Sequence, residues 1–142
     1  MLTSARNRFE GTVSKLIPGA INDEVVLTLA SGEEMVATIT KESTAKLGIC
    51  EGKSVLALIK ASFVVLLSDA EDYVFSTRNV FTGTVTDVRK GQVATEVVIE
   101  TASGLALTST ITVESAEKMQ LAKGVTVSAA VKATAVILAV KK

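Results

Sequence analysis

The feature that most constrains this chain is an internal repeat. Residues 4–66 can be laid without a gap on residues 76–138, a spacing of 72, and about 27 of these pairs are identical. Gly11-Thr12-Val13 returns as Gly83-Thr84-Val85. Gly19, Glu24, Gly32, Thr40, Gly52 and Lys60 return as Gly91, Glu96, Gly104, Thr112, Gly124 and Lys132. Two copies of so long a period argue for tandem domains and against a solenoid. The expected division is 1–67, a linker at 68–75, and 76–142. Domains of about 65 residues bury only about 60% of their unfolded surface and are marginal alone.

Within the first copy, strands are expected at 7–17, 21–30 and 34–40, and a long last strand at 53–67, with a break near Ala61-Ser62 left open. Val25, Leu27 and Leu29 alternate with Glu24, Val26 and Thr28, the period of a half-buried strand. Gly11 inside a strand pattern points to a bulge or a close backbone approach. A short helix is expected at 42–47, with Thr40 as its cap and Gly48 as its stop. The second copy repeats the plan, with strands near 79–89, 93–101, 106–112 and 125–139 and a helix near 114–119. The chain therefore reads as all-β with one short helix per repeat, forming two tandem, closed or partly closed barrels of OB type. Tyr73 and Phe75, at the end of the linker, are expected to pack against a barrel.

Hydrophobic residues make up 48% of the chain, but it has no Trp, one Tyr and four Phe. Val, Ala, Leu and Ile without large aromatic anchors suggest flat faces buried against another domain or subunit, so oligomerisation is expected. Basic and acidic residues balance at 15 each. That argues against a nucleic-acid partner, which needs a basic surface. So does the shortage of aromatics on which unpaired bases would stack. No apolar run is long enough for a transmembrane helix, and the start lacks a signal-peptide pattern. A single cysteine, Cys50, fits a small core or turn residue in a reducing, cytoplasmic setting. With no histidine, a His- or thiolate-ligated metal-cation site is not expected. Nor is a catalytic residue, because no nucleophile–base pair is in evidence.

Two segments per copy carry positive charge in an unusual context. One is Ser4, Arg6 and Asn7, repeated as Ser76, Arg78 and Asn79. The other is Lys60, Ala61 and Ser62, repeated as Lys132, Ala133 and Thr134. If these lie in extended strands, Lys60 and Ser62 project to one face, as do Lys132 and Thr134. A lysine in an apolar strand must reach solvent, pair, or bind an anion. Together the segments offer ammonium, guanidinium, hydroxyl, amide and backbone N–H donors without a carboxylate. A fully ionised oxyanion needs such a set, and each charge-assisted bond contributes about 1.5–3 kcal/mol.

Ser4-Ala5-Arg6-Asn7, the Ile21-Asn22-Asp23-Glu24-Val25 run and Ile59-Lys60-Ala61-Ser62 together resemble the Mop domain of molybdate-binding proteins. The likeness covers both copies, and the whole chain is similar to tandem molbindins. The resemblance implies OB-like barrels assembled about a three-fold axis as a homotrimer. It also implies molybdate or tungstate bound between domains, where the Ser-x-Arg-Asn segment of one meets the Lys-Ala-Ser segment of another. Further axial anion sites are implied at Ala20, Asn22 and Glu24 and at Gln92, Ala94 and Glu96, the second copy lacking the asparagine. The function implied is cytoplasmic molybdenum storage and homeostasis. The alternative is a molybdate-sensing accessory or regulatory module that acts through a separate partner.

Overall fold

The computed structural model describes residues Met1–Lys142. The first repeat supplies β1 (Asn7–Ile17), β2 (Asn22–Leu29), β3 (Glu34–Thr40), α1 (Lys41–Leu47), β4 (Ser54–Ile59) and β5 (Val64–Leu67). The second supplies β6 (Val80–Lys90), β7 (Ala94–Thr101), β8 (Ala106–Thr112), α2 (Val113–Lys118), β9 (Thr126–Val131) and β10 (Ile137–Ala139). Both helices begin where the sequence says they should. The Thr40 hydroxyl accepts from the Ser43 N–H at 3.1 Å, and the Thr112 hydroxyl accepts from the Ser115 N–H at 3.0 Å.

The strands form two five-stranded antiparallel sheets, ordered β10-β4-β1-β2-β3 and β5-β9-β6-β7-β8. The repeats therefore exchange their last strands. β5 pairs with β9, Val64 opposite Val131, and β10 pairs with β4, Ile137 opposite Leu58. One barrel-like unit combines residues 7–59 with 137–139, and the other combines 64–67 with 80–131. The sequence repeat is thus not the spatial unit at its last strand.

A short turn causes the exchange. After β4 the chain forms a 3-10 turn at Ala61–Phe63, closed by the Phe63 N–H donating to the Lys60 carbonyl at 2.9 Å. Ala133–Ala135 repeats it, with the Ala135 N–H on the Lys132 carbonyl at 2.9 Å. The long strands expected at 53–67 and 125–139 are each two strands in different sheets. The first break falls at Ala61-Ser62, where one was left open, but periodicity does not reveal the change of sheet, because apolar residues flank the turn on both sides. Val64 and Leu66 of β5, and Val136 and Leu138 at β10, are buried in the same apolar cluster as Val13, Leu27, Val85 and Ile99. Burying a side chain of this size contributes about 1.5–3 kcal/mol, so these four tie the barrels together strongly.

The first strand of each repeat bends at a bulge, between Val13 and Lys15 in β1 and between Val85 and Asp87 in β6. The bend lets one strand serve two neighbours. The glycine in each strand serves close approach. A Cβ on Gly83 would stand 2.6 Å from the Glu100 carbonyl oxygen. In the linker, Tyr73 does not pack on a barrel. It is exposed and leans on Phe75, with ring centroids 6.5 Å apart.

Candidate functional site

The two donor segments of one copy end side by side. β1 pairs with β4 as far as Asn7 opposite Ile59, so Arg6 and Lys60 are the next residues on the two strands. In the second copy the Asn79 carbonyl accepts from the Val131 N–H at 2.9 Å, which leaves Arg78 and Lys132 in the same relation. Ser4, Arg6, Lys60 and Ser62 are all exposed, as are Ser76, Arg78, Lys132 and Thr134. Within one chain, then, it is the two segments of the same copy that the fold brings together. Lys60 and Ser62 do not share a strand face as expected, because the 3-10 turn begins after Lys60. Lys132 and Thr134 depart from the strand in the same way. Ala61 and Ala133 open these turns, and the first N–H groups of a helical turn have no partner within it. Ala61 is buried, and Ala133 is half-buried.

Asn7 and Asn79 carry a structural task that the sequence did not show. Both are almost fully buried, at 2% and 0% exposure. Asn7 donates from Nδ2 to the Thr108 carbonyl at 2.8 Å and to the Ile59 carbonyl at 3.2 Å, and its Oδ1 accepts from the Thr108 N–H at 2.8 Å. Asn79 treats Val36 in the same way, with both bonds at 2.7 Å. Thr108 lies on β8 and Val36 on β3, the edge strands of the opposite barrels. Each amide thus satisfies an edge N–H and C=O that would otherwise be open to pairing. These asparagines pin one barrel to the other, and their side chains are not free donors for an anion.

The arginines also differ from expectation, because the donor set contains a carboxylate. Arg6 holds Glu96 through both terminal nitrogens, Nη1–Oε2 at 2.7 Å and Nη2–Oε1 at 3.0 Å. Arg78 pairs with Glu24. Each arginine therefore reaches the other copy, to a glutamate that is itself one of the residues expected at the axial site. The pairs are open to solvent, with Arg6 52% and Arg78 60% exposed. The sequence held the signal, since Glu24 and Glu96 are identical in both copies, but contact with the arginines needed the fold.

Of the axial candidates, Ala20, Asn22 and Gln92 are exposed, while Ala94, Glu24 and Glu96 are half-buried. Asn22 opens β2 and Ala94 opens β7 at matching positions. Next to Asn22 in β2 sits a residue to which sequence reasoning gave no role. Asp23 is buried, takes the Lys41 Nζ at 2.8 Å, and accepts from the Gly19 N–H at 3.2 Å. The Lys41 ammonium, followed by the Thr44 hydroxyl, holds its carboxyl below the usual carboxylate range. No helix is long and apolar enough to cross a membrane, and no three His, Cys, Asp or Glu side chains group to hold a metal cation.

Two exchanged, barrel-like copies with a duplicated cluster of basic and hydroxyl groups define the class. The model of the TOBE domain matches residues 3–66 and again 76–138, so the chain belongs to the TOBE-domain family with two tandem copies. A solved structure of the cytoplasmic molybdate-binding protein ModG, with molybdate bound, superposes with a TM-score of 0.95 at 42% identity, covering 99% of this chain and 100% of that one. The molybdenum-pterin-binding protein MopA of Rhodobacter capsulatus is 40% identical over 98% of this chain and 52% of its own length. The molybdenum transport protein ModE of Herbaspirillum seropedicae is 39% identical over 100% of this chain and 53% of its own. This chain spans about half the length of these curated relatives.

Proposed function

We propose that this chain binds molybdate or tungstate and serves as a cytoplasmic store and buffer of molybdenum. The observation that carries this reading is the full-length likeness to a molybdate-bound structure, over a chain whose donor cluster is present twice. The ligand sites are assigned to Ser4, Arg6 and Lys60–Ser62 and to Ser76, Arg78 and Lys132–Thr134. Asn7 and Asn79 act as the pins behind them. Molybdate and tungstate are tetrahedral dianions that carry no proton at neutral pH. Phosphate brings a P–OH that must find an acceptor. Binding without a reaction is the activity assigned, since the relatives are named for binding, regulation or transport of molybdenum.

A homotrimer is part of the proposal. Exposed apolar residues recur at repeat-related positions, Leu2 with Val74, Ile21 with Val93, and Val65 with Ile137. Apolar surface that recurs in this way is suited to burial on an assembly with matching symmetry. Ile21 and Val93 adjoin the runs at Asn22 and Ala94, so axial anion sites belong to the same reading. A second reading rests on a further relative, the DNA-binding transcriptional dual regulator ModE of Escherichia coli, 33% identical over 87% of this chain and 47% of its own length. There the tandem copies would sense molybdate for a separate partner.

Titration calorimetry with molybdate, tungstate, sulfate and phosphate tests the proposal. Saturable heat is expected with the first two and little with the others. An absence of heat with molybdate rules it out. Light scattering on the same sample should give a trimeric mass.

A further inference from the structure

Resting on the oxyanion-binding reading, we infer that Glu24 and Glu96 are intramolecular placeholders, each occupying an arginine until a dianion displaces it. They would thereby set which anions the sites accept. Glu96 presents two oxygens to two guanidinium nitrogens of Arg6, at 2.7 and 3.0 Å. Two oxygens of a tetrahedral oxyanion would engage the same edge of the guanidinium. Arg78 also pairs with Glu24 of the other copy, through one terminal nitrogen and one carboxylate oxygen, so an arginine–glutamate pair occurs twice in one molecule and is two-pronged at Arg6.

The four residues before each glutamate have all diverged, Ala20-Ile21-Asn22-Asp23 against Gln92-Val93-Ala94-Thr95. The glutamates and both arginines have not. The arginine end of each pair is exposed while the glutamate is half-buried, so a competing anion can reach the guanidinium. A pair open on the arginine side suits a placeholder. It holds the guanidinium extended and oriented, and it yields to a ligand with more charge and more partners.

Arg6 adjoins Lys60 at the strand ends, and Ser4 and Ser62 lie beyond. Glu96 is the acidic member of this otherwise donor-rich group. A monoanion cannot readily replace a carboxylate of equal charge that is already tethered. A dianion gains the second charge against the lysine and expels the carboxylate, which then stands free beside the β7 entry at Ala94. Because Glu96 is itself one of the residues expected at the axial site, displacement at one cluster acts directly on the other.

The test is titration calorimetry of the full chain with molybdate, in the presence and absence of nitrate, for the wild type, Glu96→Gln and Glu24→Gln. Loss of an exposed pair corresponds to up to about fivefold in an equilibrium constant. Each variant should therefore bind molybdate up to about fivefold more tightly at the affected sites, and should become sensitive to nitrate where the wild type is not. Unchanged or weaker molybdate binding in folded variants overturns the inference while leaving oxyanion binding intact. The wild type gives an independent readout, because the Arg6 and Arg78 Nε–Hε resonances should shift on saturation with molybdate. If they stay in place, the carboxylates are not displaced and the inference fails, whatever the variants do. A wild type that binds no molybdate removes the functional reading itself, and this inference with it.

Discussion

At position 23 the first repeat buries an aspartate against Lys41, whereas at the matching position 95 the second repeat buries a threonine, with Val113 in place of the lysine. The aspartate is fully engaged. The Thr95 hydroxyl is buried and has no partner. In the first repeat the Gly19 N–H goes to Asp23, and in the second the equivalent Gly91 N–H goes to the Ala94 carbonyl at 2.8 Å. The first helix is followed by Gly48 at φ 63°, and the second by Gln120 at φ 53°, a left-handed conformation that glycine adopts more easily. By contrast the asparagine pins and the arginine–glutamate pairs occur in both, each residue reaching the other copy. The repeats have diverged mainly in how each is built internally and have kept most of what joins one to the other. Position 33 is an exception. Glu33 accepts from Thr101 and Ser103 across the barrels, while its counterpart Leu105 cannot, and the Ser31 hydroxyl is left buried and unpaired.

The pins offer the strongest way to break this comparison. Asn79→Ala should cost about 2–3 kcal/mol in chemical denaturation, because it strands the Val36 N–H and C=O in a buried edge. Asn7→Ala should cost somewhat less, since Thr108 is only half-buried. Equal and negligible losses would show that the edges do not need the amides. A smaller effect of opposite sign is expected from Thr95→Val, which removes the unpaired hydroxyl at nearly constant shape. It should stabilise the chain by about 1 kcal/mol. The smallest effect at neutral pH is expected from the double substitution Asp23→Thr with Lys41→Val, which gives the first repeat the second repeat's residues. Because the Asp23 carboxyl is held low when folded, its contribution is complete above the unfolded aspartate value of about 3.9. It is lost as pH falls through the lower folded value. Melting temperatures followed into acid should therefore fall less steeply for the double variant than for the wild type.

How much of this could be read from the residues divides along the same line. The repeat, the strands up to β4, the helix caps and the basic segments follow from local pattern, because alternation and capping are decided within a few residues. The strand exchange does not. Val64–Leu67 would suit either barrel, and only the 3-10 turn after Lys60 directs it to the second. The same limit applies to Asn7, Arg6 and Glu96. Their side-chain chemistry was plain, but their partners lie about 90 to 100 residues away, on the other copy. A polar residue read without its partner looks available for a ligand. Here the asparagines are used by the fold, and the arginines are shared with carboxylates.

The exchange also gives residues 68–75 a meaning beyond connection. A chain with a single repeat would leave the outer edge of its fourth strand bare and its fifth strand without a sheet, and could complete its barrel only on another molecule. Joining two repeats makes that event intramolecular. The missing strand is then supplied at an effective concentration set by the tether, on the order of millimolar for a short flexible one, and no longer by the amount of protein in the cell. Tether length therefore governs stoichiometry. A connection too short to let β5 and β10 cross would pass the exchange to neighbouring chains and turn a closed pair of barrels into a linked series.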